Sequence, residues 1–395
     1  MRDWSWIRGN AANLLVMACQ MAVMTLLPLY WRKHHLSDSE VGWLAAGFSL
    51  AAIASRTWLG GWLEVHGRRA FLYLGALLLT ALPLAYANWG LQFLPWFALR
   101  LLQGAGYGFY ITAVLTWVAD RSPSDRIAQR QGVFGVSGLL GSAIGPVSAE
   151  AVAELYGYPA MFWAIGGTGL LATTLVATLP ESPPQSAPPQ GGKSLNPRDH
   201  IAMLSVTLPF GWLVGTVITF IAPLVDSVGL SGVGPYFVGF ALASVTVRLV
   251  SGSFIDRLPA AGLVAISGAL LALSALALAA LPRYPELALL FAAAILNGVG
   301  HGFLFPGLAA YTVRRTPIHQ RGGGLALYTG AFDSGNLMGA VAAGYLSQQL
   351  GYTLAFSLAA LLLLLGLPLF SHLDHGSAPI AEEFIHPTVR DDGQC

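Results

Sequence analysis

The chain has 395 residues, of which 55% are hydrophobic and only 10% charged, with a net charge of +1. Soluble domains carry about 25% charge, so a soluble fold is excluded, and the near-neutral balance offers nothing to a nucleic acid. The apolar residues come in runs near the length, about 20 residues, that a helix needs to cross a hydrocarbon layer about 30 Å thick. They do not alternate, which excludes a membrane β-barrel.

Twelve apolar spans are predicted, over about 11–31, 41–62, 71–88, 93–118, 132–153 and 160–179, then 201–223, 234–255, 260–281, 287–312, 323–346 and 353–371. Arg2 and Arg8 precede the first. No small-residue cleavage site follows before the next charges, so a retained first helix is expected and not a cleaved signal. The two cysteines, Cys19 and Cys395, lie far apart in the chain, and no disulfide, metal site or cofactor is expected from them. Residues 180–199 are rich in Pro, Gly, Ser and Gln and read as a flexible cytoplasmic linker. Residues 372–395 read as a disordered cytoplasmic tail. The organisation expected is a six-helix bundle over 1–179 and a second over 200–371.

Charge sets the orientation. With the first residue inside, the inner segments hold Arg2, Arg8, Arg68, Arg69, Arg121, Arg126, Arg130, Lys193, Arg198, Arg257, Arg314, Arg315, Arg321 and Arg390. The outer loops hold Arg32, Lys33 and Arg283. This asymmetry places both termini in the cytoplasm of a plasma membrane, the inner membrane in a bacterium.

The most informative stretch is Arg56 to Leu72, RTWLGGWLEVHGRRAFL. Glu64, His66, Arg68 and Arg69 force the chain out of lipid there, and Gly67 permits a tight turn. The pattern returns at RLVSGSFIDRLP. Arg248, Gly252 and Asp256 stand 192 residues after Arg56, Gly60 and Glu64, and Arg257 follows. GAGYGF from Gly104 returns as GVGHGF from Gly298, 194 residues later. Several matches near one offset mark duplicated halves.

At Gly60, Trp62, Leu63, Glu64, Gly67, Arg68, Arg69 and Leu72 the chain resembles the signature of the major facilitator superfamily, G-x-L-a-D-r-x-G-R-[RK]-x-x-L. Trp62 replaces the usual Leu and Glu64 the usual Asp. The resemblance implies an all-α membrane fold of two pseudo-symmetric six-helix bundles around a midplane cavity. It also implies a gate in which Asp120 pairs with Arg68 or Arg69, while Glu64 faces the start of the eleventh helix near Gly322 to Gly324. These contacts would latch the outward-open state.

A charge within the bilayer costs several kcal/mol unless paired or wetted. Arg100, His301 and Asp333 lie well inside spans, whereas Arg56 and Arg248 are expected to snorkel and close the inner face. Arg100, Gln103 and Tyr107 share one helix face by their spacing. They resemble the R-x-x-q-G-x-G motif of proton-coupled members, in which the Arg eases deprotonation of a carboxylate. A structural ion pair or snorkelling is the other reading. Asp333, with Thr329 and Asn336 on its stripe, is a proton carrier or a structural hydrogen-bonding acid. His301, one turn after Asn297, occupies the place of Tyr107 in the repeat and is expected to face it across the cavity. It reads as a substrate contact, a proton site or a packed residue. Asn13, Met17, Gln20 and Met24 form a stripe on the first helix, and Trp212 is a candidate aromatic wall; both suit a cavity or plain packing. Gly141, Gly145 and Pro146 partly match the G-x-x-x-G-P-x-x-G-G motif of efflux antiporters, with Ala149 and Glu150 in place of the last glycines.

The function expected is secondary transport by alternating access: proton-coupled export of a small organic compound by a monomer in the lipid bilayer. Its partners are a small-molecule substrate and protons, with no nucleic acid. Proton-coupled uptake of a nutrient is the alternative, and a non-transporting membrane sensor or scaffold the second. No nucleophile–base cluster or ATP-binding loop occurs, so no enzyme is expected.

Overall fold

A computed structural model of the chain describes residues 4–88, 92–122, 127–181, 197–250, 259–317 and 320–375, without side chains at 57–66, 88, 127–129, 197, 198 and 375. The first half begins with α1 (Trp4–Lys33), α2 (Asp38–His66), α3 (Arg68–Asn88) and α4 (Phe93–Asp120). The run Ile127–Ala177 is two helices that meet at Gly157, whose φ of 84° breaks the ladder. We label them α5 (127–156) and α6 (158–177). A short 3-10 turn, Pro197–His200, leads into α7 (Ile201–Ser227). The second half continues with α8 (Gly234–Val250), α9 (Ala260–Ala280), α10 (Leu287–Arg314), α11 (Arg321–Leu350) and α12 (Tyr352–His375). The last helix therefore runs one turn into the stretch expected to be a disordered tail. Arg315, just past α10, and the Tyr311 hydroxyl, 2.8 Å from Asp374, hold that turn.

Among the described residues, seven helical runs are long and apolar enough to cross a membrane by length and composition. The count is lower than the twelve expected spans for a physical reason. The α5–α6 run counts once, α8 is described over only 17 residues, and α2, α4 and α11 carry glycine and polar side chains where they meet other helices.

Each half is knit by close crossings that repeat. A Cβ at Gly141 or Gly145 would stand 2.1 Å from the carbonyl oxygen of Leu14 or Ala18, so α5 lies backbone to backbone on α1. Gly335 and Gly339 do the same on α7, at Leu208 and Trp212. These glycines are 194 residues apart in pairs, which fixes the register of α5 against α11. Small residues at such crossings suit helix packing in a membrane, where backbones approach closely.

The halves meet along two seams, α2 against α11 and α5 against α8, and α1 touches α7 at their last turns. The α1 start is tied to the α4 end by Arg121 and Ser5, 3.3 Å apart. The ends of α1, α5 and α11 and the start of α2 lie together at the other face, so both described ends of the chain share one face. We call it the terminal face and its opposite the distal face. At the distal face the seams are tight. A Cβ at Gly42 would stand 2.6 Å from the Ala340 oxygen, and one at Gly344 would stand 2.5 Å from the Asp38 oxygen. Lys33 on α1 pairs with Asp226 on α7 at 3.2 Å. Arg32, Asp38 and Tyr352 form a further cluster. A cleft of about 220 Å³ lies above this seal, lined in part by Lys33, Glu150, Glu154, Tyr158 and Asp226.

Candidate functional site

Midspan polar groups divide between the two seams. Arg56 on α2 pairs with Asp333 on α11, both partly buried, at 20% and 13% side-chain exposure. Arg56 also lies over the Tyr107 ring of α4, 5.6 Å from its centroid, and Tyr107 packs on Phe48 at 5.3 Å. Arg56 is therefore not a snorkelling anchor. A carboxylate inside the bilayer needs a cation, and the nearest helix that supplies one belongs to the other half. Thr329 and Asn336, the companions of Asp333 on its stripe, do not reach that pair. Thr329 bonds back to its own helix at Leu325, and the Asn336 backbone packs on Gly215 of α7.

Arg100 is 2% exposed, and among the described residues it has no carboxylate partner. Its guanidinium donates to the Leu44 carbonyl at 3.3 Å and to Gln103 Oε1 at 2.8 Å, touches Met24 Sδ at 2.9 Å and lies 4.8 Å from the Phe48 centroid. Tyr86 donates to the same Gln103 oxygen at 3.1 Å. The expected neighbourhood of Arg100 and a proton-carrying acid is not formed. Arg100 pins α4 to α1 and α2, and a charge spread over a planar guanidinium tolerates such soft partners. Met24 serves that pin. Asn13 is satisfied by Ser137 at 3.0 Å and by the Tyr110 hydroxyl at 3.3 Å, so its part of the α1 stripe is packing. Gln20 is buried, and its Oε1 has no partner.

His301 does not meet Tyr107. It stacks on Phe305 at 5.7 Å and lies 5.4 Å from Phe210 and 5.7 Å from Phe240, with Nδ1 buried and unpartnered. Asn297 is buried one turn earlier on α10. Trp212 is half-buried, its Nε1 without a partner. Arg248 on α8 reaches across the other seam, since a Cβ at Gly135 of α5 would stand 3.1 Å from its Nη1. Its Nε is buried without a partner.

At the terminal face, Arg68 Nε donates to Asp120 Oδ2 at 3.0 Å, with both side chains under 8% exposed. This is the pair expected of the loop after α2. Arg69 bonds the Ala177 carbonyl instead. Gly67 turns the chain with a φ of 80°. Gly60 and Glu64 fall where side chains are not described, and Asp256 and Arg257 lie outside the described residues. Two acids escaped the sequence analysis. Glu181 accepts from the Arg68 backbone N–H at 2.8 Å and from that of Arg69 at 3.3 Å, capping α3. Glu150, noted only as a departure from a glycine motif, accepts from the backbone N–H groups of Val233 and Gly234 at 2.7 and 2.8 Å. It thereby caps α8 across the seam. A carboxylate four residues after Gly145-Pro146 near the end of α5, with a glycine-rich turn before α8, was the available signal.

Two helical bundles that touch along two seams, sealed at one face and bridged midspan by opposite charges, define a membrane transporter and not an enzyme. The chain belongs to the Major Facilitator Superfamily, whose model matches residues 10–289 and 237–385. It is 20% identical over 356 residues to an uncharacterised MFS-type transporter of Methanocaldococcus jannaschii, covering 86% of this chain and 90% of that one. It is 29% identical over 205 residues to a multi-drug resistance efflux pump PmrA homolog of Lactococcus lactis, covering 50% of this chain and 49% of the other. Among solved structures it superposes on the nucleoside transporter NupG with a TM-score of 0.74, at 15% identity, covering 93% of this chain and 99% of that one. At that identity the likeness concerns the fold alone.

Proposed function

We propose that this transporter exports a small organic compound in exchange for protons, with Asp333 as the proton site and Arg56 as its counter-charge. The observation that carries this reading is the Arg56–Asp333 pair, which joins the two halves midspan. Protonation of Asp333 removes one charge of the pair, so the attraction across the α2–α11 seam falls as the proton binds. Deprotonation restores it. A carboxylate with that property links a proton gradient to the separation of the halves. Export is supported by the likeness to an efflux pump and by the Gly141, Gly145 and Pro146 crossing of α5 on α1. Both termini are assigned to the cytoplasm of the plasma membrane, the monomer is the working unit, and the distal seal is the outer gate. Glu64 and the second-half Asp256 and Arg257 are assigned to the inner gate, and Arg68 with Asp120, which join α3 to α4 within the first bundle while the distal face is sealed, brace that gate and do not latch the halves. Arg100 and Gln103 hold the first bundle rigid while it rocks.

The test is proton movement in proteoliposomes loaded with a pH-sensitive dye, with candidate compounds added on either side. Compound-dependent proton flux that disappears in Asp333→Asn supports coupling through this acid. Its direction separates exchange from co-transport. Unchanged coupled flux in Asp333→Asn overturns the assignment.

A further inference from the structure

The two Arg residues of the repeat have equivalent surroundings with one difference. Arg56 reaches from α2 toward α11 with Tyr107 beside it, and Tyr107 in turn packs on Phe48. Arg248 reaches from α8 toward α5, and in place of Phe48 and Tyr107 the second half has Phe240 and His301, 5.7 Å apart. Across the first seam stands Asp333. The glycine register, Gly141 with Gly335 and Gly145 with Gly339, puts Leu139 in the place of Asp333 on α5. Arg248 therefore carries the charge of the repeat without its counter-charge. Among the described residues it has no ion pair or hydrogen bond, and its Nε is buried. His301 Nδ1 beside it is buried and unpartnered as well. Arg248 as a whole is partly buried, but a guanidinium nitrogen out of reach of water and without a partner is costly, and two such unsatisfied nitrogens, Arg248 Nε and His301 Nδ1, call for a ligand that supplies what is missing.

We propose that Arg248 anchors the carboxylate of an aromatic carboxylate substrate, which supplies across the α5–α8 seam the negative charge that Asp333 supplies across the other. The inference rests on the transporter reading and names its substrate class. The planar guanidinium fork matches a carboxylate in two parallel hydrogen bonds. The apolar part of the substrate has a ready wall. Phe210, Phe240 and Phe305 pack on His301, and Phe332 adjoins them, 5.1 Å from Phe210 and 5.4 Å from Phe305. A substrate ring placed beside them would gain the same edge-to-face contacts. A single cation matches a single carboxylate and would leave half the charge of a phosphate unbalanced.

The experiment is equilibrium binding of 1-naphthoate and of its neutral isostere 1-naphthamide to the purified full-length protein in detergent, with no gradient. The wild type is expected to bind naphthoate more tightly than naphthamide by about tenfold or more, the worth of a charge-assisted pair. Arg248→Gln should remove that preference, and Arg248→Lys should keep part of it. Leu139→Asp should remove it too, because an internal carboxylate then occupies the guanidinium. If Arg248→Gln does not yield folded protein, Leu139→Asp decides. Equal affinity for the two probes in the wild type, or a preference that survives Leu139→Asp, overturns the proposal. Binding without a gradient is independent of proton coupling, so failure here is distinct from failure of Asp333 as the proton site.

Discussion

The α2–α11 seam and the α5–α8 seam hold equivalent places in a duplicated fold, and among the described residues each has a carboxylate where the other has none, Asp333 against Leu139 and Glu150 against Gly344. In the first, the acid is midspan at Asp333, where it meets Arg56, and the distal crossing is made by Gly42 and Gly344 without any side chain between the backbones. In the second, the midspan place falls to Leu139, leaving Arg248 unpaired among the described residues, and the acid is distal, at Glu150, where Gly344 stands in the repeat. One seam is closed by packing at its end and by charge at its middle. The other is closed by a carboxylate on a helix start at its end and carries at its middle a cation without a partner among the described residues. Duplication set the geometry of both, and a few side chains gave them different work.

The largest expected effect comes from breaking the midspan pair. Asp333→Ala strands Arg56 in a partly wetted seam and should destabilise the protein by about 3 kcal/mol, measured as thermal unfolding in detergent. The double variant Arg56→Ala with Asp333→Ala should recover much of that loss, and no recovery would deny the coupling of the two charges.

Next is the distal cap. Glu150→Ala removes two charge-assisted hydrogen bonds, each worth about 1.5–3 kcal/mol, and should shift the protein toward conformers open at the distal face. Spin labels at the exposed positions Leu155 and Ser231 would report a longer distance population. An unchanged distribution would deny Glu150 its sealing role.

A smaller gain is expected from making the seams alike. Leu139→Asp gives Arg248 a partner and should raise thermal stability by about 1 kcal/mol, the scale of a partly exposed ion pair. A fall would place Leu139 away from Arg248. The smallest effect belongs to the terminal face, where Glu181→Ala removes the cap of α3 at a cost of about 1 kcal/mol. Proteolytic sensitivity of the loop after α2 would report it.

Much of the fold was legible before any coordinates. Runs of apolar residues near bilayer length dictate membrane helices, and matches at offsets of 192 and 194 residues declare the two halves. The pairing of Asp120 with Arg68 or Arg69 was also legible, through the likeness of the loop to a family signature, and the structure gives it to Arg68. The site was legible only as a set of residue types. Arg100 and Asp333 both stood out as intramembrane charges, but the structure gives Arg100 to Gln103, Leu44 and Met24 and gives Asp333 to Arg56. Arg56 had looked like an anchor near a helix end.

By itself the sequence determined the helices, their duplication and the places where charge enters the bilayer, because local periodicity and transfer cost depend only on neighbouring residues. Partnership was decided by tertiary structure alone. Arg56 and Asp333 are 277 residues apart and Glu150 and Gly234 are 84 apart. No local rule relates residues so distant; they meet because glycines on α5 and α11 lock the registers of α1 and α7 and so carry the two seams into contact.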